Sequence, residues 1–307
     1  MEIYISTPRK TSTLTIIIFT LLGFFLSSAI YSKYSRDLYK TVCNSQWSKL
    51  ENALSSKKFA YPSSLLALET DDESSGDSNY EPYENLDWES EHRFNKTEKD
   101  SWRNGSSPDV RFVVDENNKV LYCELPKVGC TNWKRTMLQL IQPNTFGKLA
   151  FDDIKGPHGH YGEEGYKYIT EWPAEERLKM VDSFYKFIFV RHPLERILSA
   201  YRVDLAAGGS RIRHWKRYVD LCGICSFDWD FIGKLETVNE DSQFVLEDMK
   251  VSHLAEYPTK NRTTDHSMII RYYKGLGRHW LEKIYETYKP DFDLFGYDIP
   301  HYLIDIQ

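Results

Sequence analysis

The segment from Pro126 to Trp133, P-K-V-G-C-T-N-W, combines one cation, one glycine and the start of a helical pattern. It follows a short apolar run that is typical of a strand, and the helical pattern begins at Thr131. The first amides of a helix have no intrahelical partner, and the helix dipole favours negative charge beside them. Lys127 adds a mobile positive charge at the mouth of the loop. These features predict a phosphate-binding site with contacts from Pro126, Lys127, Val128, Gly129, Cys130, Thr131, Asn132 and Trp133.

This loop does not have the Walker A pattern G-x-x-x-x-G-K-[ST], in which the lysine follows the second glycine. Here Lys127 precedes Gly129, the only glycine of the loop. The missing Walker lysine and the lack of an evident metal carboxylate argue against a P-loop kinase. A chance strand-to-helix turn with a solvated Lys127 remains the alternative on this motif alone.

A second candidate phosphate site lies in F-V-R-H-P-L-E-R-I-L-S, which follows the apolar run from Tyr185 to Val190. Such a run is typical of a buried parallel strand, and ligands bind at the carboxyl ends of strands in open α/β sheets. Arg191 would lie at that end, with Ser199 about two helical turns further on. A guanidinium matches phosphate oxygens and a hydroxyl adds a neutral donor. The alternative is a surface arginine that caps a turn.

Together the two segments resemble the two signatures with which Golgi carbohydrate sulfotransferases bind 3′-phosphoadenosine 5′-phosphosulfate (PAPS). The resemblance is closest to the branch with the chondroitin and dermatan 4-O-sulfotransferases and the HNK-1 sulfotransferase. It extends over roughly residues 110–300 and includes three more segments, namely L-C-G-I-C at 221–225, D-F-I-G-K-L-E-T at 230–237 and Y-K-P-D-F-D-L-F-G-Y at 288–297.

The resemblance implies an α/β fold with a P-loop-like parallel sheet flanked by helices. It also implies sulfuryl transfer from PAPS to a carbohydrate hydroxyl, on a chondroitin or dermatan glycosaminoglycan or on a glycan with GalNAc or glucuronate. Lys127 would stabilise the leaving phosphate oxygen, and Arg191 and Ser199 would hold the 3′-phosphate. We expect no metal and no nucleic-acid partner. The alternative is a catalytically inactive Golgi membrane protein that binds PAPS or a glycan.

The loop K-G-P-H-G-H-Y-G-E-E-G-Y at 155–166 supplies candidates for the base that takes the acceptor proton. A histidine, with a pKa of about 6.5, suits this task at neutral or mildly acidic pH. The segment resembles the H-G-H of uronyl 2-O-sulfotransferases, and we favour His160 with His158 as the second candidate. Glu163 and Glu164 rank below the histidines as candidate bases, because a glutamate pKa of about 4.3 is far from the working pH. An exposed or metal-binding histidine loop is the alternative.

The acceptor is predicted to lie against a basic and aromatic cluster after the second signature, with Arg211, Arg213, His214 and Lys216 as its contacts. A solvated helix start explains the same residues. Relatives of the resembled branch carry a long insertion in this region, whereas here only residues 203–213 separate Arg202 from His214. This shortening puts the acceptor specificity in question.

Several elements must position these side chains. Strands are predicted within 110–125, with a turn at 115–118, and in Asp230 to Glu236; helices are predicted from Thr131 to about Gln142 and from Glu171 to Ser183. Another helix, with Trp280, Ile284 and Tyr288 on one face, is predicted from Gly277 to Lys289, ending because Pro290 follows.

The amino-terminal third predicts membrane attachment. No charged residue occurs from Thr11 to Ser32, which is long enough for the roughly 20 residues that cross a bilayer. We divide the chain into a cytosolic tail (1–12), an uncleaved anchor (13–32), an acidic and largely disordered stem (33–108) and a catalytic domain (109–307). This predicts a type II Golgi membrane protein; a cleaved secretory signal ending near Ala29 is the alternative.

Cysteines and glycosylation sequons agree with a luminal domain. Sequons occur at Asn95, Asn104 and Asn261. Of the five cysteines, an odd number, we expect Cys130 to stay reduced, and Cys43 could bridge a homodimer. Cys222 and Cys225 are more consistent with structural disulfides than with a redox or zinc motif, and their pairing stays open.

Overall fold

The computed structural model describes residues 110–206, 211–258 and 266–299. The predicted tail, anchor and stem, the three sequons and Cys43 lie outside these ranges. Within the described residues, no helix is both long and apolar enough to cross a membrane.

A four-stranded sheet forms the centre of the fold, with strands β1 (Phe112–Asp115), β2 (Val120–Cys123), β3 (Tyr185–Val190) and β4 (Phe231–Lys234) in spatial order β1-β2-β3-β4. The pairs β2–β3 and β3–β4 are parallel, as predicted. The sheet is mixed, because β1 at one edge pairs with β2 antiparallel. The predicted turn explains this, since the Asp115 carboxylate accepts hydrogen bonds from the backbone and side chain of Asn118 and closes a tight hairpin.

Helices cover the sheet and connect its strands. They are α1 (Cys130–Ile141), α2 (Ala174–Ser183), α3 (Pro193–Ala206), α4 (Ile212–Trp215), α5 (Val238–Asp248), α6 (His266–Lys274) and α7 (Arg278–Phe295). The predicted α1 and α2 are confirmed within a few residues, and α6 had not been predicted. The arrangement is an α/β fold whose sheet is flanked by helices.

The larger core lies between the sheet and α1. The Trp133 ring is fully buried and lies 4.6–5.8 Å, between ring centroids, from the rings of Tyr122, Phe187, Phe189 and Tyr257. Met137 lies on the same helical face and is also fully buried. The apolar spacing of α1 therefore directs its face against the sheet and holds the loop before it in place.

The smaller core joins α3, α6 and α7 through Leu194, Ile197, Leu198, Ile269, Tyr273, Ile284, Tyr288 and Phe292. The expectation that the last helix ends before Pro290 was wrong, since α7 continues to Phe295. A proline within a helix costs about 3 kcal/mol. Residues beyond it offset this cost, because Phe292, Leu294 and Phe295 are buried, at about 1.5–3 kcal/mol for each such side chain.

Two cysteines join the sheet to the segment that precedes β4. Cys123, at the end of β2, forms a disulfide with Cys222, with their Cα atoms 6.3 Å apart. Cys225 is also disulfide-bonded, whereas Cys130 is a free thiol. This agrees with structural disulfides and with a reduced Cys130, and it excludes a disulfide within the C-x-x-C pair.

We expect the Cys123–Cys222 disulfide to contribute strongly to stability, because it links residues 99 positions apart. In the chain-entropy picture, closing a loop of this size is worth about 4–5 kcal/mol. The double variant Cys123→Ala/Cys222→Ala should lose roughly this free energy of unfolding in urea titrations. Cys130→Ala is the control with little change. Equal urea midpoints for the double variant and the wild type would contradict the assignment.

Candidate active site

The loop between β2 and α1 contains two residues with left-handed backbone angles. Lys127 and Gly129 both adopt left-handed φ values, +68° and +86°. A Cβ at Gly129 would lie 2.6 Å from Tyr257 Oη, so both the backbone angle and the close packing require glycine here. The amides of Asn132 and Trp133 bond to Gly129 O. The amides of Cys130 and Thr131 begin the helix without an intrahelical acceptor, as do the helix N-termini that bind anions, and we call residues 126–131 the anion loop.

Arg196 supports this loop from inside the protein, a role that the sequence analysis missed. Its side chain is fully buried, with its guanidinium carbon 4.6 Å from the centroid of the Tyr218 ring. Its Nε donates to Pro126 O at 3.3 Å and its Nη2 to Lys216 O at 2.6 Å. The arginine thus joins the start of the anion loop to the segment after α4.

Lys127 is half-buried at the loop mouth. Burial lowers the pKa of its ammonium; Cys130 and Asp204 oppose this shift, and Arg191 and Arg211 add to it. The charges of Arg191 and Arg211, from two other parts of the chain, therefore act on the ammonium of Lys127. This is the electrostatic setting that a multiply charged anion favours.

Glu124 and Lys134 form a buried ion pair across the turn. Glu124 follows β2, Lys134 lies in α1, and their charged atoms are 2.9 Å apart. Burial of Glu124 would raise its pKa, but Lys134 and a hydrogen bond donated by the Tyr168 hydroxyl outweigh burial, so the pKa is lowered. The carboxyl therefore stays ionised at neutral pH and holds Lys134 in place.

His158 lies between the loop and this ion pair. Its Nε2 is 3.0 Å from Thr131 Oγ1, and its Nδ1 is 2.9 Å from Lys134 Nζ. An ammonium can only donate, so Nδ1 accepts and the neutral ring carries its hydrogen on Nε2, directed at Thr131. Burial and the charge of Lys134 lower the pKa of His158, so the ring is neutral at pH 7.

His160 lies apart from these groups. Its Nε2 is 2.9 Å from Lys155 O and its ring packs edge-on against Phe146, with ring centroids 5.0 Å apart. Glu163 and Glu164 are exposed. Of the four base candidates, His158 is the one that contacts Thr131 of the anion loop.

In the second predicted phosphate segment, the Arg191 side chain is paired with a carboxylate, which was not expected. Arg191 does follow β3, but its side chain is buried and its Nε and Nη2 both donate to Glu195 Oε2, at 3.0 and 2.9 Å. Its amide donates to Tyr218 Oη at 2.8 Å. Ser199 is half-buried on α3, and no described residue makes a hydrogen bond with its hydroxyl.

Asp204 organises the predicted acceptor cluster. Its carboxylate accepts from the Arg211 amide and Trp215 Nε1 and lies 3.0 Å from His214 Nδ1. Arg213 instead donates to Glu124 O at 3.0 Å, next to the ion pair. The charges of Arg211 and His214 act on His158. The cluster therefore borders the candidate site, while Lys216 contributes its carbonyl to Arg196.

Two of the predicted loop contacts need correction. The side chains of Val128 and Trp133 are fully buried in the larger core. Apolar burial directs both inward, so they can offer a ligand only backbone atoms. The Tyr257 ring lies 4.8 Å from that of Trp133, between ring centroids, which ties the start of α1 to the segment after α5.

Sequence reasoning missed Glu124, Lys134 and Tyr168 as site residues. A signal for Lys134 exists, because it lies three residues after Thr131 and hence on the same helical face. Tyr168 belongs to a loop whose path depends on tertiary contacts. Among residues 110–206, 211–258 and 266–299, no group of three or more His, Cys, Asp or Glu side chains is placed to hold a metal ion.

Comparisons with known proteins bear on this geometry. The chain matches the family described as "Sulfotransferase family" over residues 110–208 and 207–298. The division between the two matches falls within the shortened region 203–213. No solved structure matches significantly.

Several curated proteins are similar to the chain. Carbohydrate sulfotransferase 11 of Mus musculus is 30% identical, over 62% of this chain and 68% of the relative. Carbohydrate sulfotransferase 10 of Homo sapiens is 26% identical, over 65% and 71%. The Xenopus laevis carbohydrate sulfotransferase 10 is 25% identical, over 63% and 69%. With the family match extending over most of the described residues, the chain belongs to the sulfotransferase family and is a sulfotransferase enzyme.

Proposed function

We propose that this enzyme transfers a sulfuryl group from PAPS to a hydroxyl of a carbohydrate, with a glycosaminoglycan or a GalNAc- or glucuronate-containing glycan as acceptor. The contact of His158 with both the anion loop and Lys134 carries the proposal. It sets a proton-accepting group beside the loop, as transfer between a bound donor and a hydroxyl requires. The names of the relatives support a carbohydrate acceptor.

The donor site would consist of the loop and the start of α1. The open amides of Cys130 and Thr131 and the ammonium of Lys127 fit a phosphosulfate, because each offers positive charge or a donor to an anion. Ser199, with a hydroxyl that bonds to no described residue, would contact the 3′-phosphate. Glu195 partly neutralises Arg191, so Arg191 would contribute less to donor affinity than an unpaired arginine.

Bound PAPS supplies an activated sulfuryl group whose bond to the 5′-phosphate oxygen breaks as a bond to the acceptor oxygen forms. Lys127 stabilises the negative charge that collects on the leaving phosphate oxygen. Thr131, by accepting from Nε2 of His158, orients the ring. His158 takes the acceptor proton on Nδ1, since Nε2 already carries a hydrogen.

This proton transfer requires that Lys134 leave Nδ1 of His158. Lys134 has two other partners at hand, Glu124 at 2.9 Å and the Tyr168 hydroxyl at 3.3 Å. The acceptor hydroxyl would then replace the ammonium on Nδ1. His158 is thus favoured over His160 on geometry, a reversal of the preference drawn from the H-G-H pattern.

Replacing Lys127 with alanine should reduce kcat at least about 10²–10³-fold, as expected when a preorganised charge is removed from a transition state. The measurement is transfer of ³⁵S from labelled PAPS to a panel of desulfated chondroitin, dermatan, heparan and glucuronate-terminated glycans. Exposed Lys179→Ala is the control, since its ammonium pairs on the surface with Glu175. Near-normal turnover by Lys127→Ala would refute the mechanism. PAPS binding by the wild type without any transfer would favour the inactive binding protein instead.

His158→Ala should lower kcat/KM about 10²–10⁴-fold, the usual contribution of a general base, whereas His160→Ala should change it little. The base must be neutral, and the pKa of His158 is lowered from 6.5. Activity should therefore persist below pH 6.5 and fall only as the pH drops through the lowered pKa. A pH profile of kcat/KM checks this. Equal losses in the two variants, or an acid limb centred above 6.5, would contradict the assignment.

We further propose a Golgi membrane location with the catalytic domain in the lumen, supported by the uncharged run at 11–32 and by the three sequons. In that case Asn95, Asn104 and Asn261 are open to N-glycosylation. Peptide-N-glycosidase treatment of the chain from mammalian cells should increase its gel mobility. Replacing all three asparagines by glutamine should abolish the shift. A shift that is absent from the wild type would refute luminal exposure.

A further inference from the structure

A cavity of about 650 Å³ opens beside His158, on the side of Lys134. Its volume lies in the range of about 300–1,000 Å³ that is typical of small-ligand sites. Besides His158, its principal lining side chains are Arg111, Glu124, Lys134, Tyr161, Tyr166 and Tyr168. The sequence analysis assigned a function to none of these six.

Three tyrosine rings form one wall of the cavity. Residues 166–168 run along the edge strand β1, with the Val114 amide donating to Lys167 O at 3.1 Å. In such an extended segment Tyr166 and Tyr168 lie on the same face. Their ring centroids are 5.5 Å apart, and the Tyr161 ring lies 5.6 Å from that of Tyr168. Tyr166 is 1% exposed and Tyr161 is 54% exposed, so the wall extends from the floor to solvent.

This wall suits a sugar ring. A pyranose has an apolar C–H face, which packs on an aromatic ring, and hydroxyls at its edge, which need polar partners. The Tyr168 hydroxyl and the Glu124–Lys134 pair lie within the same cavity. The cavity therefore combines stacking surfaces with a few fixed polar groups.

The charges of the cavity do not balance. Glu124 neutralises Lys134, and His158 is neutral at pH 7. Arg111 is half-buried at the rim, its guanidinium carbon 5.8 Å from the centroid of the Tyr168 ring. No carboxylate among the described residues pairs with it. Within the described part of the chain, the Arg111 guanidinium therefore lies beside the tyrosine rings without an acidic partner.

We propose that this cavity binds the acceptor glycan, and that Arg111 selects glycans that carry an anionic group, a carboxylate or a sulfate, on the sugar next to the one that is sulfated. The inference rests on the proposed function and deepens it. Tyr161 and Tyr168 would pack against sugar faces while the reacting hydroxyl contacts Nδ1 of His158. The guanidinium would bind the anionic oxygens of the neighbouring sugar with two hydrogen bonds.

The test measures KM of the full-length chain for three hexasaccharides: unsulfated chondroitin, its carboxyl-reduced form, and the carboxyl-reduced form bearing sulfate. Arg111→Gln should raise KM for unsulfated chondroitin roughly tenfold or more, the effect of losing a hydrogen bond to a charged group. It should leave KM for PAPS unchanged. The neutral, reduced hexasaccharide should show no dependence on Arg111. If a sulfate can replace the carboxylate, Arg111→Gln should also raise KM for the carboxyl-reduced hexasaccharide that bears sulfate.

Arg278→Gln is the matched control, because Arg278 is an exposed arginine on α7 that pairs with Glu282 outside the cavity. Tyr161→Ala should raise KM for all three acceptors, whereas Tyr161→Phe, which keeps the ring, should not. Tyr161 is exposed, so neither change is expected to unfold the chain.

Equal effects of Arg111→Gln on charged and neutral acceptors, or no effect on either, would overturn the inference while leaving the proposed function intact. Absence of transfer by the wild type would instead count against the proposed function. In that case calorimetric binding of the same hexasaccharides still decides the matter. Weaker binding of the charged glycan by Arg111→Gln supports the cavity assignment, and unchanged binding refutes it.

Discussion

Glu124 and Lys134 meet behind the anion loop, 2.9 Å apart, with less than a tenth of either side chain exposed. Leaving one such buried charge without its partner would cost about 3–5 kcal/mol. The pair therefore holds the end of β2 against the first turns of α1. It also fixes the ammonium that contacts His158 and the carboxylate that accepts from Tyr168. Both the His158 ring and the Tyr168 hydroxyl therefore contact this one ion pair.

Contacts with the surrounding fold also hold the loop before α1 in its conformation. The disulfide at Cys123 anchors the residue next to Glu124, and buried Arg196 binds the carbonyl of Pro126. Tyr257 packs so closely on Gly129 that a larger residue would not fit. These contacts come from distant parts of the chain, and they maintain a left-handed φ at Lys127, a conformation that is costly for a residue with a Cβ.

The histidine loop shows how tertiary contacts decide between neighbouring residues of the same type. His158 and His160 are two histidines of one short loop that the sequence could not clearly separate, and the sequence analysis favoured His160 as the base. A short helical turn, Pro157–Gly159, together with contacts of the loop to α1 directs His158 toward Thr131 and leaves His160 on Phe146. Similarly, the position of Arg191 after β3 followed from the sequence, but its pairing with Glu195 did not enter that prediction, although the two lie one helical turn apart.

The sequence alone determined the order of strand, loop and helix around Lys127, the buried strand before Arg191, the helical face of Trp133 and Met137, and the resemblance to a family. These features depend on local periodicity, on glycine and proline positions and on short motifs, all of which are written in neighbouring residues. Only the tertiary structure decided the reach of α7 past Pro290, the Cys123–Cys222 pairing, and the meeting of Glu124, Lys134, His158 and Tyr168. Each of these depends on burial or charge pairing between residues of different elements, which the spacing within one element does not specify.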